Sequence, residues 1–195
     1  MSCIVLILAA GASSRFGSAK ALAPWGKETL LSHALSIAKA VGEPLVVVGG
    51  HADVIQPELG ETAHVFNSNW ARGIGTSIAK GADAALALKP DCDVLIVMPV
   101  DQPLITSAHL DYLLQSARQT NHCAFTRDGE IWGPPAAIPR AYFAVIRSLQ
   151  GEEGLKVGIK SENRVFCDAA RMLYDIDTQE DLDRLNQAMK RPVSD

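Results

Sequence analysis

The sequence predicts a three-layer α/β/α fold around a mainly parallel, twisted sheet. Short apolar runs alternate with stretches whose apolar residues recur at helical spacing, the pattern of strands linked by crossover helices. The 195 residues are 48% hydrophobic and 21% charged, which suits one globular domain with a substantial core. No internal repeat or low-complexity segment breaks the alternation.

Ile4–Leu8 is a continuous apolar run ending in Ala-Ala-Gly and reads as a strand buried on both faces. Thr29–Val41 carries Leu30, Leu31, Ala34, Leu35, Ala38 and Val41 as a helical stripe. Leu45–Val48 is a second strand closed by Gly49-Gly50, and His64–Phe66 a short third. Thr76–Leu88 is Ala-rich and helical. Val94–Val100 is the strongest strand signal, with Pro99 at its end. Ala108–Gln119 is a helix capped by Thr106 or Ser107. Cys123–Thr126 is a further strand, and Ala141–Leu149 and Gln179–Met189 are helical. Thr178 caps the last helix and Asp181 lies in its first turn. Residues Asp128–Asp168 show less regular patterning, and a subregion on the acceptor side of the same domain is expected there.

Composition excludes several classes. A net charge of −4 leaves no basic footprint for nucleic acid. No apolar run reaches the roughly 18 residues that span a bilayer, and the apolar start lacks a basic n-region, so no membrane association and a cytoplasmic location are expected. Cys3, Cys92, Cys123 and Cys167 are far apart and have no zinc-type spacing, so they are expected to be packed, reduced thiols. The five histidines form no pair or triad pattern.

Parallel sheets bind ligands at the carboxyl ends of their strands, so the loops after Leu8, Phe66 and Val100 matter most. The first runs Leu8-Ala9-Ala10-Gly11-Ala12-Ser13-Ser14-Arg15-Phe16-Gly17-Ser18-Ala19-Lys20. Small residues and two glycines let backbone N–H groups form an anion nest, and Arg15 and Lys20 add charge, together a triphosphate cradle. It is neither a Walker A loop nor a GxGxxG loop. After Val100, Asp101 sits at a strand end. It is a candidate Mg²⁺ ligand, because that ion favours one or two carboxylates plus phosphates; it also fits a turn or cap residue. Asp175 and Asp177 are two apart and point the same way in an extended segment, so either could supply a second carboxylate; acids before a helix also complement its dipole. Gly75, Thr76 and Ser77 open a helix whose free N–H groups suit an anion or a base edge, or form a plain cap. Trp132-Gly133-Pro134-Pro135 reads as a rigid aromatic loop.

These motifs, in this order, resemble the MobA-like NTP-transferase family from Leu8 to Leu182. The LAAGxSxRFGxxK pattern is joined by Asp101-Gln102-Pro103 and by Asp175-Ile176-Asp177-Thr178-Gln179-Glu180-Asp181-Leu182. Asn67, Trp70 and Gly73-Ile74-Gly75-Thr76-Ser77 are similar to the molybdenum cofactor cytidylyltransferases within it. Two stretches depart from that subgroup: Trp132-Gly133-Pro134-Pro135 stands where Gly-His-Pro is frequent, and Glu152 where a GDxG-type turn has Asp.

The resemblance implies a Rossmann-like fold of the nucleotide-diphospho-sugar-transferase type. It also implies one domain over residues 1–195, with 1–127 nucleotide-binding, 128–175 acceptor-side and 176–195 a C-terminal helix. The nucleotide would contact Leu8, Ala9, Ala10, Gly11, Ser14, Arg15, Gly17, Lys20, Gly75 and Ser77. Lys20, Arg15 and Asp101 would be catalytic, and Asp101 and Asp177 would bind Mg²⁺. The implied reaction is transfer of CMP from CTP to a phosphorylated pterin-type acceptor, with a molybdoenzyme or cofactor-insertion chaperone as the expected protein partner. Ala10 supports CTP, because relatives that transfer GMP tend to carry Gly there. Transfer to a sugar phosphate, or nucleotide binding without turnover, are the rival expectations.

Overall fold

The computed structural model describes residues 2–190. Seven strands form one sheet: β1 (Ser2–Ala9), β4 (Glu43–Val48), β5 (His64–Phe66), β6 (Cys92–Pro99), β7 (Cys123–Asp128), β8 (Ile131–Pro139) and β9 (Arg164–Asp168). Their order is β5-β4-β1-β6-β8-β7-β9, and β8 alone runs against the others. A hairpin of β2 (Pro24–Trp25) and β3 (Glu28–Thr29) stands apart. The helices are α1 (Leu30–Lys39), α2 (Ala52–Ile55), α3 (Ile74–Leu88), α4 (Ser107–Thr120), α5 (Phe143–Arg147), α6 (Leu155–Gly158) and α7 (Gln179–Lys190). The expected three-layer, mainly parallel α/β/α architecture is therefore what the chain adopts.

Ile4, Val5, Leu6 and Ile7 are fully buried because β1 lies mid-sheet with a helical layer on each face. Val5 and Ile7 meet the stripes of α1 (Leu31, Ala34) and α4 (Leu110, Leu113). Ile4 and Leu6 meet α3 through Ile78 and Ala82, and α5 through Phe143 and Ile146. Period-2 alternation in the strand thus feeds two separate cores. Thr29 and Thr106 cap α1 and α4, their hydroxyls accepting from Ser32 and His109 N–H. Thr178 and Asp181 form a reciprocal box at the start of α7. Residues 191–195 of the expected C-terminal part lie outside the described residues.

Two expectations need correction. Trp132-Gly133-Pro134-Pro135 is not a loop but part of β8, inside the sheet between β6 and β7. The prolines are tolerated because β7 pairs Phe125 with Ala136 and Thr126 with Gly133, so Pro134 and Pro135 bulge out of the ladder. The bulge is held by a buried chain: the Thr126 hydroxyl donates to the Pro135 carbonyl at 2.7 Å, so the His109 Nε2–H donates to Thr126, at 2.9 Å. The less regular 128–168 stretch supplies two strands of the main sheet, β8 and β9. Finally, α3 begins at Ile74, so Thr76 and Ser77 lie within its first turn and Gly73 is the N-cap.

Candidate active site

The chain runs from β1 outward to β4 and β5, then returns through α3 to β6 on the other side of β1. This reversal opens a crevice at the carboxyl ends of β1 and β6. A cavity of about 410 Å³ lies there. Of the residues expected at the site, Leu8, Ala9, Ala10, Gly11, Ser14, Arg15, Lys20, Ser77, Asp101 and Asp177 line it.

The glycine loop arches over one end. Ser13 adopts a positive φ of 50°, and its carbonyl accepts from the N–H groups of Phe16 and Gly17. The N–H groups of Ala12 to Arg15 have no protein acceptor among the described residues, which leaves an anion-binding concavity. Lys20 reaches beneath the loop: its Nζ lies 2.5 Å from Asp101 Oδ2 and 3.6 Å from Asp177 Oδ1. Arg15 meets Asp177 Oδ2 at 2.8 Å, more exposed. Two cations and two carboxylates thus interleave at one spot.

Asp101 is held by the strand end before it and by a backbone bond, its carbonyl accepting from Ile176 N–H at 2.9 Å. Ile176 is wholly buried with Trp25, Leu30 and Leu182, so it anchors the segment before α7 beside β6. That anchoring brings Asp177 to the cavity. Asp175 takes a different partner, accepting from Gln102 Nε2 at 2.8 Å, and does not line the cavity. Burial pushes the Asp101 carboxyl above the usual range, while the Lys20 ammonium opposes the rise and Asp175 adds to it.

The other wall comes from the start of α3. Trp70 lies against the backbone of Gly49 and Gly50, where a Cβ on Gly49 would stand 2.7 Å from Trp70 Cβ. Asn67 is buried and donates through Nδ2 to both Thr76 and Ser77 hydroxyls. Ser77, at the cavity, therefore keeps its own hydroxyl proton for a ligand. Gly73, with φ 122°, and Gly75 press against the Gln150–Glu153 turn; a Cβ on Gly73 would come within 2.3 Å of Gly151. This contact brings Glu152 to the cavity.

Two expected nucleotide contacts are displaced. Gly75 faces the Gln150–Glu153 turn and donates its N–H to the Gly151 carbonyl at 2.9 Å, so it offers no free donor. Gly17, at φ 80°, closes the loop from outside and does not line the cavity. Trp70, Ile74 and Glu152 line it without having been singled out as contacts. Trp70 carried a signal, an aromatic in a loop after a strand; Glu152 was marked only as a departure in a GDxG-type turn, and its approach to the cavity depends on packing between distant segments.

No histidine or cysteine lines the cavity. All four cysteines are free and buried, and desolvation pushes the Cys3 and Cys123 thiols to about 12, far from a reactive thiolate. No helix among the described residues is long and apolar enough to cross a membrane.

A doubly wound sheet with a phosphate-type cradle, two cations and two carboxylates at its switch point defines the nucleotide-handling class of α/β proteins. Within that class, the chain belongs to the MobA-like NTP transferase domain family, whose pattern matches residues 5–165. It is 36% identical over 116 residues to a molybdenum cofactor guanylyltransferase of Xanthomonas euvesicatoria pv. vesicatoria, covering 56% of this chain. The matched part is about half of that relative, 52% of its length. Rv0371c from Mycobacterium tuberculosis superposes with a TM-score of 0.80 at 25% identity, covering 95% of this chain and 97% of Rv0371c. Rv0371c has also been solved in complex with manganese, with a TM-score of 0.77 to this chain at 23% identity over 96% of this chain and 100% of that one.

Proposed function

We propose that the chain transfers CMP from CTP to a phosphorylated pterin-type acceptor and releases pyrophosphate. The observation that carries the transferase reading is the meeting of Arg15, Lys20, Asp101 and Asp177 beneath a loop of unpaired N–H groups. An acceptor phosphate oxygen attacks the α-phosphorus, the bond to the β-phosphate oxygen breaks, and pyrophosphate leaves with the electron pair. The nucleophile is already anionic, so no general base is needed, which suits a cavity without histidine or cysteine. The loop N–H groups and Arg15 hold the triphosphate, and Lys20 neutralises charge that develops in the transition state.

Asp101 and Asp177 fit a Mg²⁺ ion. Both are hard oxygen donors facing one cation position, now taken by the Lys20 ammonium. No group of three potential ligands gathers among the described residues, so phosphates and water would complete the shell. When bound, the ion would neutralise phosphate charge. Manganese, found with the mycobacterial relative, is the second ion to try.

Ala10 supports the pyrimidine. It is buried at the cavity wall, and its carbonyl is engaged by Gly50 N–H at 3.0 Å, behind Trp70. We infer that a methyl at this wall narrows the space for a base, which favours a pyrimidine. GTP is the second reading, because the curated relatives are named guanylyltransferases. Pyrophosphate release with each of four NTPs and candidate phosphorylated acceptors tests both. Preference for CTP supports the proposal. Preference for GTP overturns the base assignment, and binding without release makes the chain a nucleotide sensor.

A further inference from the structure

The transferase chemistry leaves one cluster unused. Trp132, at the start of β8, meets Phe125 and Phe166 edge-on, each at 5.3 Å between ring centroids. The indole so held carries two cations: Lys156 Nζ and Arg164 Cζ each stand 4.8 Å from its centroid. The two cations are held differently. Arg164 donates to the carbonyls of Ile159, at 2.8 Å, and Lys156, at 2.7 Å, and so ties the end of α6 to β9. Lys156 has no ion pair or hydrogen bond from its ammonium among the described residues. Its stem lies in a notch at Gly133, where an added Cβ would stand 3.3 Å from Lys156 Cε.

An exposed lysine ordinarily samples many rotamers in water. Here an aromatic ring and a glycine notch hold the ammonium, and no carboxylate neutralises it. Three acids of the adjoining segments have partners of their own: Asp168 pairs with Arg127, Asp128 accepts from Arg171 N–H, and Glu153 accepts from Gln150 N–H. Glu152 faces the cavity.

The cluster also has a definite place. β8 is the sheet neighbour of β6, and Val97 pairs with Ala136. Trp132 lies beyond that pair in the direction in which β6 runs on to Asp101. It packs on the same sheet face as Trp70, against the core of Leu6, Ile78 and Phe125. Lys156 follows cavity-lining Glu152 by four residues. Lys156 does not itself line the cavity; it lies against Trp132 and Gly133 of β8, beside the turn that brings Glu152 in.

We infer that Lys156, held by Trp132 and Gly133 with Arg164 behind it, forms a subsite for the phosphate ester of the acceptor, distinct from the nucleotide cradle. This rests on the transferase reading for its occupant. The faces of Trp132 are used by cations, so the ring positions Lys156 and does not stack on the acceptor.

The test uses the full chain. Phenyl phosphate is titrated by calorimetry with the cavity first saturated with the α,β-methylene analogue of whichever NTP binds. Lys156→Ala should weaken phenyl phosphate binding about tenfold, the scale of one lost charge-assisted hydrogen bond, with nucleotide affinity changed less than twofold. Lys156→Arg should recover most of it. In turnover, Lys156→Ala should raise KM for the acceptor and leave KM for NTP unchanged. Equal phenyl phosphate binding by wild type and Lys156→Ala, or none by wild type, overturns the subsite. An equal loss of nucleotide affinity assigns Lys156 to the cradle and also overturns it. Absence of pyrophosphate release by the wild type defeats the transferase reading, while the calorimetric arm still decides the subsite.

Discussion

Replacing Lys20 with Ala tests the centre of the site. The ammonium is 13% exposed and lies 2.5 Å from Asp101 and 3.6 Å from Asp177. At an effective dielectric of about 20, these attractions are roughly 7 and 5 kcal/mol before desolvation is subtracted. Removing one partner of such a mostly buried pair costs about 3 kcal/mol net. For a chain of this size that lowers Tm by roughly 6–12 °C. Asp101 can answer by taking a proton. Its folded carboxyl is already raised by burial, and without the ammonium it rises further. A raised folded carboxyl loses stability as pH rises from the unfolded value through the folded one, so Lys20→Ala should be more destabilised at pH 8 than at pH 5. The two carboxylates would then lack the cation they share, with Asp177 still paired to Arg15, so Mg²⁺ or Mn²⁺ should raise the Tm of the variant more than that of the wild type. In turnover, kcat should fall about 10²–10³-fold with a smaller change in KM for NTP, the scale of one electrostatic stabiliser. Thermal melts with and without metal, beside initial rates, measure all of this. An equal metal-induced Tm shift in both proteins would refute the shared cation position, and a pure KM effect would confine Lys20 to ground-state binding.

Three further outcomes are expected. Asp177→Ala should raise the metal concentration needed for half-maximal activity several-fold more than Asp175→Ala, because Asp177 alone of the two lines the cavity; the reverse order would show the wrong acid was chosen. Arg15→Ala should weaken NTP binding about tenfold with little change in Tm, since its pair with Asp177 is largely exposed; a Tm drop of many degrees in melts would contradict this. His109 is buried and held below its ordinary range by desolvation, so its contribution is present above about pH 6.5 and is lost as pH falls below it. Urea unfolding at pH 7 and 5 should show a smaller drop for His109→Gln than for wild type, and an equal drop would exclude His109 as a source.

How far the fold could be read in the sequence depended on whether one local signal dominated. β1 and β6 are continuous apolar runs because both faces are covered, and α1 and α4 show clean stripes with threonine caps. β8 gave the opposite signal. Gly133, Pro134 and Pro135 are poor strand residues, and they occupy a strand because the ladder with β7 skips the prolines at a bulge. β9 is five residues at the sheet edge, with Arg164 and Asp168 at its ends, and is specified by pairing to β7 rather than by its own pattern. The β2–β3 hairpin has two residues per strand, too few for any periodicity.

The site divides along the same line. Arg15 and Lys20 sit within one contiguous stretch whose chemistry is local, so spacing alone marked them as candidates, and both line the cavity. Asp101 and Asp177 were visible as candidates, but choosing Asp177 over Asp175 depends on Gln102, 73 residues from Asp175, which takes the other carboxylate. Gly75 shows the converse. Its position after a strand and at the start of a helix suggested a free donor, yet tertiary packing spends that N–H on Gly151. The same packing admits Glu152 to the cavity, because glycine at 73 and 75 lets the Gln150–Glu153 turn approach within contact of α3. A side chain at either position would push the turn outward and withdraw Glu152. The glycines of that segment thus shape the cavity by what they let in, whereas the loop after β1 shapes it by the N–H groups it leaves free.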